Sequence, residues 1–382
     1  MSRFPWARVR WCNSAFLVGT LLLSVTATPA YFWYTGLSAF QVALFLFFFT
    51  ATGLSITLGY HRLFSHLSFK ASWPVRLLTL LFGAAAFENS ALRWAADHRR
   101  HHRLVDHDED PYAISKGFFH AHVGWILFRH PPDTSLVWAK DLQHDRLVVW
   151  QHRYYVLIAA LMGFGLPTAL GWIAGGWSSA LGSLLLAGVT RVVFVHHMTF
   201  FINSLCHTMG RQPYSSRCTA RDSALMAWFT FGEGYHNFHH AFQLDYRNGV
   251  KPWQFDPTKW CIWLLHKTGL VRQLRRVPDE KVLLAQIAEQ QRQIAAALSK
   301  DSARVPDNLH QMLHTAQAFL QQAAARWEQC KADYRVAAEA RMDASREKLV
   351  EVRRELREAT VRFRQAFRRW DCTRRLILAH LP

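Results

Sequence analysis

The chain has 382 residues, 51% of them hydrophobic and 14% aromatic, and a formal net charge of +18. So basic a balance asks for anionic partners, yet no nucleic-acid-binding module is visible, and long apolar runs in the first two-thirds point to membrane and lipid instead. The cysteines at positions 12, 206, 218, 261, 330 and 372 include no CxxC pair, which excludes zinc-ribbon and rubredoxin-type sites and fits a reduced cytosolic face.

Residues 1–12 carry Arg3, Arg8 and Arg10 and no acid. Residues 13–33 and 37–58 are apolar runs, each close to the roughly 20 residues a helix needs to cross a bilayer. The second follows almost at once, which favours a retained span over a cleaved signal peptide. Basic residues flank the pair and none lies between, so both outer ends belong in the cytosol. Residues 154–174 and 178–199 repeat the arrangement, with Arg146 and Arg153 before and Arg211 and Arg217 after. Arg191, inside the last run, is expected to face the bundle interior or reach its cytosolic end. Residues 73–92 are also apolar, but Arg76, Glu88 and Arg93 would be costly at depth, so a helix in or dipping into the cytosolic interface is predicted.

From Asp279 the composition becomes charged. Leu309, Leu313, Ala316, Leu320, Ala323, Trp327, Cys330, Tyr334 and Ala337 follow alternating steps of four and three. The pattern resumes out of phase at Met342, Ser345, Leu349, Val352, Leu356, Ala359, Phe363, Ala366 and Trp370, so a kink or turn is expected near residue 341. Amphipathic helices folded on their own domain, self-association through a coiled-coil-like seam, and partner docking all fit. The predicted class is an all-α integral membrane protein. It has four transmembrane helices in two hairpins and a cytosolic helical cap within residues 1–278, then a helical extension over 279–382.

Three histidine clusters punctuate this plan: His61 with His66, then His98, His101 and His102, then His236, His239 and His240. A lone histidine is usually a surface or satisfied core residue. Tight groups beside apolar runs are different, because imidazole is the commonest metal ligand. In each HxxHH box the histidines at i, i+3 and i+4 share a helix face. Two boxes plus HxxxxH exceed the four ligands of an ordinary zinc, so the clusters predict two metal ions. They can share a site only from one side of the bilayer.

The histidine spacing, taken with the four spans, resembles the membrane fatty acyl desaturases, and most closely the Δ9 acyl-CoA (stearoyl-CoA type) desaturases, over residues 37 to about 265. Gly59-Tyr60-His61-Arg62, Asp97-His98-Arg99, Asp110-Pro111, His122-Val123-Gly124-Trp125 and Gly232-Glu233-Gly234-Tyr235-His236-Asn237 carry the likeness. The resemblance implies a non-haem centre of two iron ions with O2 as co-substrate. Its ligands would be the eight histidines above and a ninth, His207, in Asn203-Ser204-Leu205-Cys206-His207, with Asn203 holding a metal-bound water. Asn89, Trp94 and Lys116 are implied contacts for the headgroup of an acyl-CoA or other acyl carrier, and Thr199 and Phe200 lie near the implied kink of an acyl tunnel. The family's animal members have Arg where Ala96 stands, Gln where Glu88 stands and Trp where Phe200 stands.

Neutral imidazoles do not offset two metal cations, so carboxylates behind them matter. Asp97 and Glu233 lead the candidates, ahead of Asp106, Asp108, Glu109 and Asp110. His196 and His197 are candidates for an outer role. Activated oxygen on a metal supplies the oxidant that no side chain can, and the protein supplies position. Two electrons per turnover require a separate donor (cytochrome b5, ferredoxin or a reductase), since no fused cytochrome b5 or ferredoxin signature is present. A bacterial inner membrane is expected in preference to the endoplasmic reticulum. A di-iron lipid hydroxylase shares the cage. A membrane metal carrier or sensor fits poorly, because transporters place ligands within spans.

Overall fold

The computed structural model describes residues 6–129, 136–301, 305–339 and 346–380, so Arg3 and the phase shift near residue 341 lie outside it. The chain divides into two compact units, Met1–Val282 and Leu283–Pro382. Both are helical. Among the described residues the first unit has one two-stranded sheet, β1 (Lys70–Ala71) paired antiparallel with β2 (Val271–Arg272).

Among the described residues, three helical segments are long and apolar enough to cross a membrane: α1 (Trp11–Thr35), α2 (Ala39–Ser65) and a third, Tyr155–His207. Ser38 caps α2, its hydroxyl accepting the Gln41 N–H while the Gln41 side chain accepts the Ser38 N–H. The prediction ends this span at residue 58. The helix instead continues through Ser65 as a wider, π-type coil over Ser55–Ser65, so His61 sits on the long apolar helix itself and His66 caps its C-terminal end. This conformation suits the sequence. An i, i+5 pair lies about 140° apart around a regular α-helix. The wider i→i+5 coil brings His66 back over His61, and the His66 N–H donates to the His61 carbonyl at 3.1 Å.

The apolar stretch predicted as one helix over 73–92 is two elements. α3 (Trp73–Ala84) is too short to cross at about 1.5 Å per residue. A tight loop follows, in which Phe87 and Asn89 take left-handed conformations, with φ of 59° and 76°. Ser90 then caps α4 (Ala91–Leu104), accepting the Arg93 N–H. The loop is tied from across the fold. Arg191, fully buried, donates to the carbonyls of Ala85 (2.5 Å), Gly163 (3.0 Å) and Ala187 (3.1 Å). His196 donates to the Ala86 carbonyl at 2.7 Å. Arg191 thus faces the interior, its charge spread over carbonyl dipoles.

After α5 (Arg146–Arg153) comes α6, Tyr155–His207. Its 53 residues exceed the bilayer's roughly 30 Å core more than twofold at about 1.5 Å each. It breaks where two of its residues leave helical geometry, Gly175 and then Gly176 at φ 66°, a region open to glycine. Further helices of this unit include α7 (Ala224–Phe229), α8 (His236–Ala241) and α9 (Pro257–Lys267).

The second unit contains most of α10 (Asp279–Asp301) together with α11 (Asp307–Glu339) and α12 (Arg346–Leu378). Its heptad-spaced residues face one another. Leu313, Ala316, Leu320, Trp327, Cys330, Ala359, Phe363, Ala366 and Trp370 share one core with Ile287 and Ile294 of α10. The Trp327 indole stacks on Phe363 at 5.8 Å and donates to Thr360 at 3.1 Å. The amphipathic seam is therefore filled from within the chain.

Candidate metal centre and its cavity

The nine histidines converge. His61, His66, His98, His102 and His239 form one group, and His101, His207, His236 and His240 a second, with ligand atoms inside each group within 4.8 Å of one another. α2 supplies the first pair and α4 the next three. The end of α6 supplies His207, and α8 supplies His236, His239 and His240. In α4 and α8 the i, i+3, i+4 spacing aligns three rings on one helix face.

Facing Nε2 atoms lie close together: His66–His98 at 2.8 Å, His102–His239 at 2.9 Å, His61–His239 at 3.0 Å, His207–His236 and His236–His240 at 3.1 Å, and His101–His240 at 3.3 Å. Metal–nitrogen bonds of about 2.0–2.1 Å give edges of roughly 2.9 Å at right angles and 3.3 Å at the tetrahedral angle. The spacing is that of ligands around a metal.

The far nitrogens say which tautomers are present. His61 Nδ1 lies 2.8 Å from Glu233 Oε2, and His101 Nδ1 lies 2.9 Å from both Asp110 oxygens. His207 Nδ1 is 2.7 Å from the Thr219 hydroxyl, which itself donates to Asp106 at 2.6 Å. At His61, His101 and His207 the neighbouring oxygen takes the Nδ1 proton, which leaves their Nε2 atoms as lone-pair donors toward the facing rings. Nitrogen donors gathered at about 3 Å in two groups fit a pair of metal ions. Burial first, then neighbouring imidazoles, holds His66, His98, His102, His236, His239 and His240 well below the ordinary histidine value, and they stay neutral donors.

Behind Glu233 lies a buried ion network. Arg62 binds Glu233 at 2.9 Å and Asp256 at 3.0 Å and donates to the Tyr246 carbonyl at 2.8 Å. Burial raises the Glu233 pKa, but His61 and Arg62 outweigh it and hold the carboxyl below its usual range. Asp110 is likewise raised by burial and brought lower overall by His101. Asp222 accepts the N–H groups of Asn237 (2.8 Å) and Phe238 (3.1 Å) and so anchors the start of α8. Asp97 pairs with Arg93 at 3.1 Å. His122 bridges Ser204 and His197, both at 3.1 Å, against the last turns of α6.

A cavity of about 1030 Å³ adjoins both histidine groups, with His61, His98, His101 and His236 on its wall. That is the upper end of the roughly 300–1,000 Å³ of small-ligand sites. Phe49, Gly53, Ile56 and Phe231 supply apolar wall. Of the residues singled out from sequence, Asn89, Trp94, Asp97, Thr199, Phe200, Asn203 and Glu233 line it. Lys116 does not; its ammonium donates to the Asp108 carbonyl. Arg10, Arg93 and Arg129 also line the wall. The sequence singled out Arg10 only as a basic residue before the first apolar run and Arg93 only as a charge costly at depth, and did not mark Arg129.

Glu88 enters the cavity from the tight loop after α3. It accepts hydrogen bonds from Thr199 (2.7 Å) and from the Trp94 indole (3.2 Å), and that indole stacks on His98 at 4.7 Å. Burial raises its pKa from 4.5 to about 7, with the two hydrogen bonds opposing.

Fold and site together define a helical protein with segments long and apolar enough to cross a membrane, paired histidine groups able to hold metal and an adjoining cavity. Residues 38–260 match the fatty acid desaturase family, and the chain belongs to that family. It is 39% identical over 302 residues to acyl-CoA desaturase 1 of Saccharomyces cerevisiae, covering 77% of this chain and 58% of the yeast protein. It is 38% identical over 288 residues to a probable acyl-CoA desaturase of Schizosaccharomyces pombe, covering 75% of this chain and 59% of that protein. A Tachysurus fulvidraco acyl-CoA desaturase 1 is 35% identical over 287 residues, covering 74% of this chain and 84% of that one. The chain thus spans less than two thirds of the length of the two fungal relatives.

Proposed function

We propose that the chain is an acyl-CoA desaturase that introduces a cis double bond, at Δ9, into a long saturated acyl chain. The observation that carries this reading is the convergence of nine imidazoles, in two groups, beside a cavity with apolar sides whose wall includes His61, His98, His101 and His236. His61, His66, His98, His102 and His239 would hold one iron, and His101, His207, His236 and His240 the other, with Asn203 orienting a bound water. Two irons so held would supply the O2 activation that removing hydrogens from unactivated methylenes requires.

The remaining work belongs to the chain. Glu233 and Asp110 fix the ring orientation and tautomer of His61 and His101. Phe49, Ile56 and Phe231 exclude water and align the acyl chain, so position is set by cavity shape, since neighbouring methylenes are chemically alike. Arg10, Arg93 and Arg129 give an anionic carrier cationic partners, joined by Asn89 and Trp94. Lys116 would meet the carrier only beyond the wall. The break at Gly175–Gly176 supports four crossings in two hairpins, with the metal site on the cytosolic side and electrons arriving from a separate donor.

The test is expression in a host lacking its own desaturase, with an electron donor supplied and fatty acids analysed by mass. A monounsaturated product appears, is lost in His101→Ala, and accompanies about two irons per chain, one for each histidine group. A saturated profile despite expression, iron loading and donor would overturn the reading, and a hydroxylated product would redirect it to a lipid hydroxylase.

A further inference from the structure

Large apolar side chains are left in the open on a part of the first unit that lies outside every candidate span. On α9, Trp260, Trp263 and Leu264 fall at i, i+3 and i+4, one helix face, and all are exposed, Leu264 at 59%. The opposite face packs inward through Thr258 and Ile262. The exposed face continues onto α7. Phe255 stacks on Trp228 at 4.1 Å and contacts Trp260 at 5.6 Å, and Trp228 is itself 65% exposed. An aromatic surface of this extent facing water would be a liability, since contiguous apolar patches mark interaction surfaces.

Two further features say what covers it. The first is its composition. Exposed Lys267 stands over the Trp263 ring at 5.4 Å. Tryptophan with lysine is the pairing of the headgroup zone, where an amphipathic ring sits level with the lipid phosphates and ammonium groups reach them. The second is continuity with the spanning surface. The N-terminal turn of α9 is joined to α2 by a 2.7 Å hydrogen bond between the Thr258 and Thr57 hydroxyls. The inward face of α9 is thus anchored to a helix long and apolar enough to cross the membrane, with its aromatic face turned outward.

We propose that α7 and α9 form a monotopic lipid-contact face that lies in the headgroup region of the bilayer and inserts Trp228, Trp260, Trp263 and Leu264 at its acyl boundary. This assignment does not depend on the reaction catalysed. It makes the protein membrane-bound through a second surface besides its spans, and it fixes the height of the cap above the lipid.

The test uses the full chain in vesicles of phosphatidylcholine with a minority of phosphatidylglycerol. A photoreactive benzophenone amino acid is placed singly at Trp228, Trp263 or Leu264, and at exposed Asp108 as a water-facing control. After irradiation, intact and digested protein are analysed by mass. Phospholipid adducts at the three face positions, at least several-fold above the control, are expected. Adducts joining two protein chains would show that a second copy covers the face. A lipid yield no higher than at Asp108 would show that it faces water. Either result overturns the assignment. Three independent positions keep the outcome decisive where one substitution impairs folding.

Discussion

Glu88→Gln tests the reasoning about the cavity most sharply. Glu88 is a carboxyl held between Thr199 and Trp94 on the wall of a cavity proposed to take a hydrocarbon chain. The other titratable groups near it are Tyr60 and Tyr155, while Arg93, Asp97 and His196 share the cavity wall and Arg191 ties the loop that carries it. A rise from 4.5 to about 7 corresponds to roughly 3 kcal/mol at about 1.4 kcal/mol per unit, an upper figure because the side chain is partly open to the cavity. The folded-state pKa is raised, so the folded protein holds a proton that the unfolded chain releases near 4.5. The associated stability is whole below that pH and is lost as pH rises toward 7. A bound acyl chain displaces cavity water and pushes the carboxyl further toward its neutral form. Binding thus becomes linked to protonation, and apparent affinity falls by up to about tenfold per pH unit once Glu88 ionises. In Glu88→Gln the amide carbonyl still accepts from Trp94, and the Thr199 hydroxyl can reverse to accept from the amide nitrogen. The assay is kcat/KM for the acyl substrate against pH in lipid, with iron content as control. Wild type declines above about pH 7 and Glu88→Gln stays flat over the same range, with iron unchanged. The same decline in both proteins would refute the argument.

Asp110→Ala removes the acceptor that orients His101, and iron affinity is expected to fall about 10–100-fold, read from retention against a chelator series. Glu233→Ala does the same for His61; unchanged retention in both would remove the tautomer argument. Arg62→Met strands Glu233 and Asp256 as unpaired buried carboxylates, so unfolding in lipid is expected to be easier by about 3–5 kcal/mol, seen as a lowered midpoint. Phe363→Ala, in the core of the second unit, costs about 3–5 kcal/mol there. Hydrogen exchange in residues 305–378 accelerates while iron content stays constant.

The parts of this protein that were readable in advance are those encoded by local periodicity. Spacing i, i+3, i+4 aligns His98, His101 and His102 on α4 whatever surrounds them, and the same holds for α8. Long apolar runs likewise mark spans, because backbone groups in lipid must be satisfied within the helix. The sequence misleads where a distant residue settles a local question. Residues 73–92 have no charge run, and their one proline, Pro74, sits in the first turn of α3 where it does not break the helix. They are broken because Arg191 and His196, more than a hundred positions away, capture the Ala85 and Ala86 carbonyls. Asp110 was one acid among several near the second box; what distinguishes it is a loop that returns its carboxyl to His101, with the Asp106 and Tyr112 N–H groups donating to it.

The extent of α2 has the same origin and bears directly on the metal site. An apolar-run criterion stops where polar residues begin, and so places His61 outside the span. The helix continues because Gly59 packs against Thr79 and Gly83 against the Tyr60 ring, approaches so close that a Cβ on either glycine would lie within 2.6 Å of its neighbour. The first histidine pair is thereby rigidly continuous with a spanning helix, while α4 and α8 bring the other boxes from outside the spans. A group that needs ligands from both sources can assemble only where a span leaves the bilayer. Phe49, Gly53, Ile56 and Thr57 of α2 line the cavity on the approach to His61, so the acyl chain of the proposed reaction would lie along this helix.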